Sequence, residues 1–401
     1  MDAYLFDWVN LLLRWAHVIT AIAWIGASFY FVLLDNSLSP PEDADLKAKG
    51  IDGEMWAVHG GGFYHSNKYM VAPANLPDKL HWSYWESYST WLSGFALLTV
   101  LYFFNASSFL VDKRVFDWSP GAAITGALAY LALGWIVYDQ ICRLVGRAKD
   151  GSVGGDLKVG VLVFFYTCAS AWIACHFFAG RAAFLLTGAM LATVMSANVF
   201  MVIIPGQRKV VAAMRAGQPV DANHGKRAKQ RSVHNTYFTL PVIITMLSNH
   251  YGMVYQHHAN WLVLILLMLA GAVIRLFFVL RHKGPSRWEF ALAAVLLIVL
   301  VAVIVAPEKP APGAKLASAP ALEGFAQVRQ VIEQRCTMCH NAQVVSKNIQ
   351  LHTPELIQQH AQAVYQQTVV LKTMPMNNAT QITEAERALL GRWVQAGAKL
   401  Q

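Results

Sequence analysis

Eight stretches of this 401-residue chain are apolar over lengths that leave few structures open to them: approximately 8–34, 87–104, 121–141, 159–178, 183–205, 236–252, 261–280 and 288–306. The hydrocarbon of a bilayer is about 30 Å thick, which a helix covers in about 20 residues. No water is available there to satisfy backbone N–H and C=O groups, so a spanning run has to be helical. The second and sixth stretches are the shortest. Composition agrees, because 56% of the residues are hydrophobic and only 14% charged, against about 25% charged in soluble domains. The net charge of +9 does not signal a nucleic-acid partner. Lys and Arg lie in short loops between apolar runs, so the expected partner is the lipid bilayer. The N-terminus is acidic at Asp2 and Asp7, and the first run is too long for a signal-peptide core, so no cleavable leader is expected.

The pattern changes after residue 306. A Pro/Ala-rich linker, 307–321, separates the apolar domain 1–306 from a polar, helix-patterned domain 322–401. That second domain contains Cys336-Thr337-Met338-Cys339-His340. Two thiols so spaced can each add across a haem vinyl group, and the following histidine then lies under the iron, which is the mark of a covalent haem c. A zinc site would need two more ligands at short spacing, and His352 and His360 are poorly placed for that. Residues 324–335 form an amphipathic helix before the motif. Thr383 and Glu386 make a capping box that opens a last helix with Leu389, Trp393 and Val394 on one face. Small class I cytochromes c share this layout, with a methionine before the last helix as sixth iron ligand. Met374, in Met374-Pro375-Met376, is the expected ligand, with Met376 the alternative. A thioether ligand raises the potential, which suits a haem that accepts electrons. Cys142, Cys168 and Cys175 lie in apolar runs and are expected to pack. The fold class predicted is therefore all-α: a polytopic membrane bundle of about eight helices followed by a small class I cytochrome c-like domain.

Haem c is attached outside the cytosol, and eight spans put both termini on that same side. The loops 35–86, 141–158, 206–235 and 281–287 then face the cytoplasm. They hold most of the loop Lys and Arg, whereas the opposite loops hold only Lys113, Arg114 and Arg181. The positive-inside rule gives the same orientation independently. A bacterial inner membrane with both termini periplasmic is expected.

Ionisable residues within spans are functional candidates, and here they fall into two layers. Near the cytochrome side are Arg14 and His17, three residues apart on one helix face, with His176 and His250 at helix ends. Together these could hold a haem b, with Arg14 at its propionates and His17 or His250 on its iron. The inner layer begins with the loop His59-Gly60-Gly61-Gly62-Phe63-Tyr64-His65 and Lys68, followed by Trp82, Trp85 and Glu86. Asp139, Asn198, His234, Asn235 and Arg275 lie deeper. Such a mouth offers aromatic faces for a planar ring, basic and amide groups for its carbonyls, and carboxylates to remove protons.

Several long segments resemble a known family. They are Gly60-Gly61-Gly62-Phe63-Tyr64, the run from Leu80 to Gly94, His234-Asn235-Thr236-Tyr237-Phe238-Thr239-Leu240-Pro241, and Ser248-Asn249-His250-Tyr251, together with the cytochrome tail. The chain is similar over its whole length to the membrane-bound urate hydroxylases of the PuuD type, urate oxidases fused to a cytochrome c. The resemblance implies oxidation of urate to 5-hydroxyisourate with water as oxygen source. Electrons would pass to cytochrome c oxidase or a soluble cytochrome. In that setting Trp82 or Trp85 would stack on urate, Glu86 or Asp139 would assist deprotonation, and Lys68 or Arg275 would hold the anion. The competing expectation is a non-catalytic, quinol-linked, membrane-anchored cytochrome c subunit.

Overall fold

The computed structural model describes residues 2–69, 72–73, 75–148, 152–306, 324–344 and 349–400. The expected linker 307–321 and the start of the second domain lie outside the described residues.

Each of the eight apolar stretches is helical. Helix α1 (Asp2–Ser37) is followed by a short α2 (Ala44–Ala48) and an antiparallel hairpin of β1 (Gly53–His59) and β2 (Gly62–Lys68). Next come α3 (Trp85–Leu98), which runs on through a π turn at Thr99–Phe103, the one-turn α4 (Ala106–Phe109), α5 (Pro120–Leu144), α6 (Asp156–Phe177) and α7 (Gly180–Ala197). A second π turn, Asn198–Ile203, carries α7 into α8 (Ile204–Arg215). The bundle is completed by α9 (Ala222–Leu247), the one-turn α10 (Gly252–Tyr255), α11 (Asn260–Arg281) and α12 (Trp288–Ile304). Among the described residues, five helical stretches are long and apolar enough to cross a membrane: Tyr4–Ser37, Pro120–Leu144, Asp156–Phe177, Gly180–Arg215 and Asn260–Arg281. Trp288–Ile304 is apolar but shorter. The two short runs of the sequence have visible reasons for their weakness. One is interrupted by the first π turn, and the other is the apolar half of α9, whose first half is polar.

Local chemistry places the ends and breaks. Ser119 caps α5 by accepting from the Ala122 N–H, with Pro120 at the first helical position. Pro205 has no N–H, and its ring collides with the carbonyl four residues back, so the α7–α8 helix widens into a π turn just before it. The loop 35–86 is more ordered than its polar sequence suggests. Gly60 and Gly61, at φ of 58° and 82°, form the two-residue turn of the hairpin. Within it Trp56 stacks at 4.1 Å on its cross-strand partner His65, which bonds Glu54 at 2.5 Å.

Helix α7 is the centre of the bundle. Ala182, Ala183, Phe184, Leu186 and Met190 are fully buried, and the helix packs on α5, α6 and α9. Helix α11 packs between α9 and α12, while α1 lies outside, against α3. A second core joins α13 (Phe325–Arg335), α14 (Pro354–Gln359), α15 (Ala361–Val364) and α16 (Glu384–Gln395) through Val328, Ile332, Ile357 and Leu390, with Phe325 and Trp393 5.8 Å apart. The expected capping box is present, Thr383 and Glu386 exchanging both bonds.

The C-terminal unit rests on the bundle through the segment that holds Met374. The Gln256 side-chain amide donates to the Lys372 carbonyl at 3.2 Å, and residues 376–378 lie on α4. Thr373 approaches Gly252 so closely that a Cβ there would fall 2.6 Å from its Cγ2.

Candidate functional site

A charged network is buried in the bundle near the end of α5 farthest from the C-terminal unit. Asp139 lies roughly 28 Å along that helix from Pro120 at 1.5 Å per residue. Its Oδ1 accepts from Arg231 Nη2 and its Oδ2 from Arg143 Nε, both at 2.6 Å. Both carboxylate oxygens are thus committed to guanidinium donors. Arg231 is only 4% exposed and lies 4.9 Å over the Tyr138 ring. A buried carboxylate and guanidinium are tolerable as a pair and costly singly.

The network also has a direction. Arg231 can only donate, so Asn198 turns its Oδ1 to Arg231 Nη1 (3.4 Å) and its Nδ2 to the Tyr138 hydroxyl (3.0 Å) and Asn235 Oδ1 (2.8 Å). Asn235 Nδ2 then donates to the Met195 carbonyl at 3.0 Å. The Tyr138 hydroxyl accepts from Asn198 and gives its own proton to His234 Nδ1, 2.8 Å away. Neutral His234 therefore carries its N–H on Nε2.

His234 also lines two adjoining grooves. One, of about 450 Å³, lies between α6 and α9 and includes Asp156, Lys226, Lys229 and Tyr237. The other, of about 220 Å³, is nearly apolar, reaches Met268 and Ala272 of α11, and shares Gly160, His234 and Tyr237 with the first.

Of the residues singled out in the sequence, the structure unites Asp139, Asn198, His234 and Asn235. The sequence pattern does not mark Arg231 or Tyr138. Arg231 ends a basic run from Lys226 that reads as a loop, yet its spacing to His234 and Asn235 puts all three on one helical face. Trp82, Trp85 and Glu86 lie at the start of α3. Trp85 is exposed in a ring cluster with Tyr84 and Tyr88, and the nearest link to the network is Ser87 Oγ donating to Ser196 Oγ at 3.2 Å. Lys68 is ion-paired with Asp35 beside the hairpin. Arg275 is 5% exposed, lies 3.9 Å over the Phe29 ring, and has no hydrogen-bond partner for Nε or Nη2.

The outer residues do not converge into one centre. Arg14 is exposed and donates to Asn10 at 3.3 Å. His17 faces α3, where its Nδ1 meets the Thr90 carbonyl at 3.1 Å and Ser93 Oγ at 3.2 Å. Gly94 makes room for this ring, since a Cβ there would fall 2.8 Å from it. His176 is exposed at the end of α6, stacked on Trp172 with Nδ1 on that residue's carbonyl. His250 is exposed in the turn after α9. Among the described residues no three His, Cys, Asp or Glu side chains are arranged to hold a metal ion. An unforeseen outer cluster lies beneath the C-terminal unit, where Tyr102 Oη and Arg181 Nε both donate to Asn249 Oδ1 at 2.9 and 3.2 Å.

In the C-terminal unit, α13 ends at Cys336, and the N–H groups of Cys339 and His340 both donate to the Cys336 carbonyl at 3.1 Å. One turn thus carries both thiols and the imidazole. Burial pushes the Cys336 thiol up to about 12. His340 Nδ1 donates to the Ile349 carbonyl at 3.0 Å. A carbonyl can only accept, so Nε2 keeps a free lone pair, the tautomer an iron ligand needs. The Met374 carbonyl accepts from Arg387 Nη1 at 2.8 Å, and its N–H donates to the Gln367 carbonyl at 3.0 Å. The donor set and its tautomer fit a covalent haem c. Arg335 reaches from the end of α13 to Glu386 of α16 at 3.0 Å. Burial works against the charge of Glu386, but the Thr383 N–H and Arg335 outweigh it and hold its carboxyl below the usual range.

Fold and site together define a polytopic helical membrane protein with an ionised, hydrogen-bonded network inside its bundle. Residues 3–306 match the family model of the urate oxidase N-terminal domain, and the chain belongs to that family. The match ends where the apolar domain ends. No curated protein and no solved structure matches the chain.

Proposed function

We propose that this chain is an integral-membrane oxidoreductase that converts urate to 5-hydroxyisourate, and that its C-terminal domain is a class I cytochrome c that takes the electrons onward. Family membership supports a urate-related oxidoreductase. The observation that carries the reading further is the directed network from Asp139 to His234, which ends on a groove with two lysines. Urate is a planar monoanion at neutral pH. Water supplies the hydroxyl that bonds to purine C5, and two protons and two electrons leave. His234 Nε2–H donates to a ring carbonyl oxygen, where negative charge gathers as the ring loses its proton. Tyr138 and Asn198 hold that imidazole in place, and Asp139 with Arg231 holds Asn198. Asp156, in the same groove, is the carboxylate placed to receive a proton.

Cys336 and Cys339 would hold a haem c covalently, with His340 and Met374 as its iron ligands, and it would supply a one-electron acceptor. Its oxidant is cytochrome c oxidase or a soluble cytochrome of a bacterial inner membrane, with both termini periplasmic. Electron tunnelling falls exponentially with distance, and the network lies far along α5 from the cytochrome. Arg14, His17, His176 and His250 do not come together, so no electron step is assigned to a haem b. For a haem b, His17 fits by tautomer, because the Thr90 carbonyl fixes its proton on Nδ1. His176 and His250 lie exposed at helix ends.

Anaerobic addition of urate to the purified full-length protein in ¹⁸O-water is expected to reduce haem c and to place the label at C5 of the product. Reduction by dithionite or quinol but not by urate overturns the assignment. One covalent haem per chain is expected, which acidic solvent does not extract. A second, extractable haem would assign a haem b to the membrane domain, with His17 as the ligand that fits by tautomer.

A further inference from the structure

Arg275 has a feature that the function so far leaves unused. It lies in the inner half of α11, 5% exposed, with Nε and Nη2 buried and unpartnered. No carboxylate pairs with it among the described residues, and its face is covered by Phe29 at 3.9 Å. A cation–π contact leaves the in-plane N–H fork free. Burying an unpaired charge is expensive, and a chain that keeps one in an apolar bundle keeps it for an anion.

The surroundings lead to it. Ala272, three residues earlier on the same helix face, lines the inner groove. Tyr237 lines both grooves and lies close enough to Arg275 to interact with it electrostatically. At the open end stand Lys226 and Lys229. Two exposed cations line the outer groove, and the buried guanidinium lies just behind the lining of the inner one, three residues along α11 from Ala272, which grades the positive charge for a negative ligand.

We propose that Arg275 is the anion-binding residue of this cavity. It receives, through its Nε and Nη2 fork, a planar heterocyclic anion that enters past Lys226 and Lys229 and lies against His234 and Tyr237. That this anion is urate rests on the function proposed above. The arrangement sets ligand-free stability against binding, because the charge that captures the anion is uncompensated without it.

The test uses the full-length holoprotein in detergent, with Arg275→Met, which keeps length and removes charge, and Arg275→Lys, which keeps charge and loses the fork. The readouts are thermal unfolding with and without urate, and KM and kcat for urate-dependent haem reduction. Without ligand, Arg275→Met is expected to unfold at the wild-type temperature or above it. It should lose the urate-induced stabilisation and show a KM raised at least ~tenfold, the loss expected for charge-assisted hydrogen bonds. Arg275→Lys should keep part of the stabilisation. If Arg275→Met is less stable than wild type without ligand and its KM is unchanged, the arginine is structural and the proposal is overturned. Oxonate, a planar anionic heterocycle, separates the two readings. Stabilisation of wild type but not of Arg275→Met by oxonate, with no response to urate, removes urate and leaves the anion site standing. No stabilisation of wild type by either anion overturns the site.

Discussion

At the scale of single residues, Asp139 shows how a charge is kept inside an apolar bundle. Its two oxygens meet two guanidiniums, and one of these, Arg231, is itself buried. Asp139→Ala leaves Arg231 unpaired and is expected to cost about 3–5 kcal/mol of unfolding free energy, measured by denaturant titration. The double variant Asp139→Leu/Arg231→Met removes both charges and is expected to recover most of that loss. It should still fail to oxidise urate, because Asn198 then has no donor to orient it and His234 loses its fixed tautomer. Recovery of stability together with activity would show that the network is merely structural. Asp139 and Arg275 were legible in the sequence, since any ionisable residue inside an apolar run stands out. Arg231 was not, because an arginine that follows Lys226, Arg227 and Lys229 looks like one more loop cation until the helix is seen to continue through it.

At the scale of elements, the contact between α10 and the Met374 segment couples the two halves of the chain. Gly252 has no side chain because Thr373 occupies that space. Gly252→Val is expected to push the Thr373–Met374 segment away from the bundle. With Met374 as the proposed iron ligand, the methionine-to-iron charge-transfer band is then expected to weaken and the haem potential to fall, while the proposed covalent attachment persists. An unchanged band and potential would mean that the segment holds its place without the bundle. The latch between α13 and α16 gives a pH prediction. Glu386 is held below its ordinary value of 4.5 by its Thr383 and Arg335 contacts. A depressed carboxylate contributes stability that is fully present above 4.5 and is lost as the pH falls through the lower folded value. Glu386→Gln is therefore expected to destabilise the C-terminal domain at neutral pH and to flatten its acid unfolding below 4.5, followed by circular dichroism. The capping box was legible because it is a local pattern over four residues. The hairpin has only Gly60-Gly61 as its local signal, a two-residue turn whose strands pair across a polar loop.

At the scale of the whole molecule, the proposed function puts oxidation and electron exit at different ends of one chain. Cys336→Ser/Cys339→Ser is expected to lose covalent haem and urate-driven electron transfer while urate still raises the unfolding temperature. Loss of both would place the substrate site at the cytochrome instead.

The sequence by itself determined the helical bundle and the close spacing of Cys336, Cys339 and His340, because hydrophobic length and short residue spacing are local properties of the chain. It also marked Asp139, His234 and Arg275. Only the tertiary structure decided which of the marked residues meet. The network joins α5, the π turn after α7 and α9, over separations of up to 96 residues between Tyr138 and His234. Partners that distant are set by how helices pack, which no local pattern encodes. For the same reason only the structure distinguished Lys68, neutralised by Asp35, from Arg275, left buried without a partner.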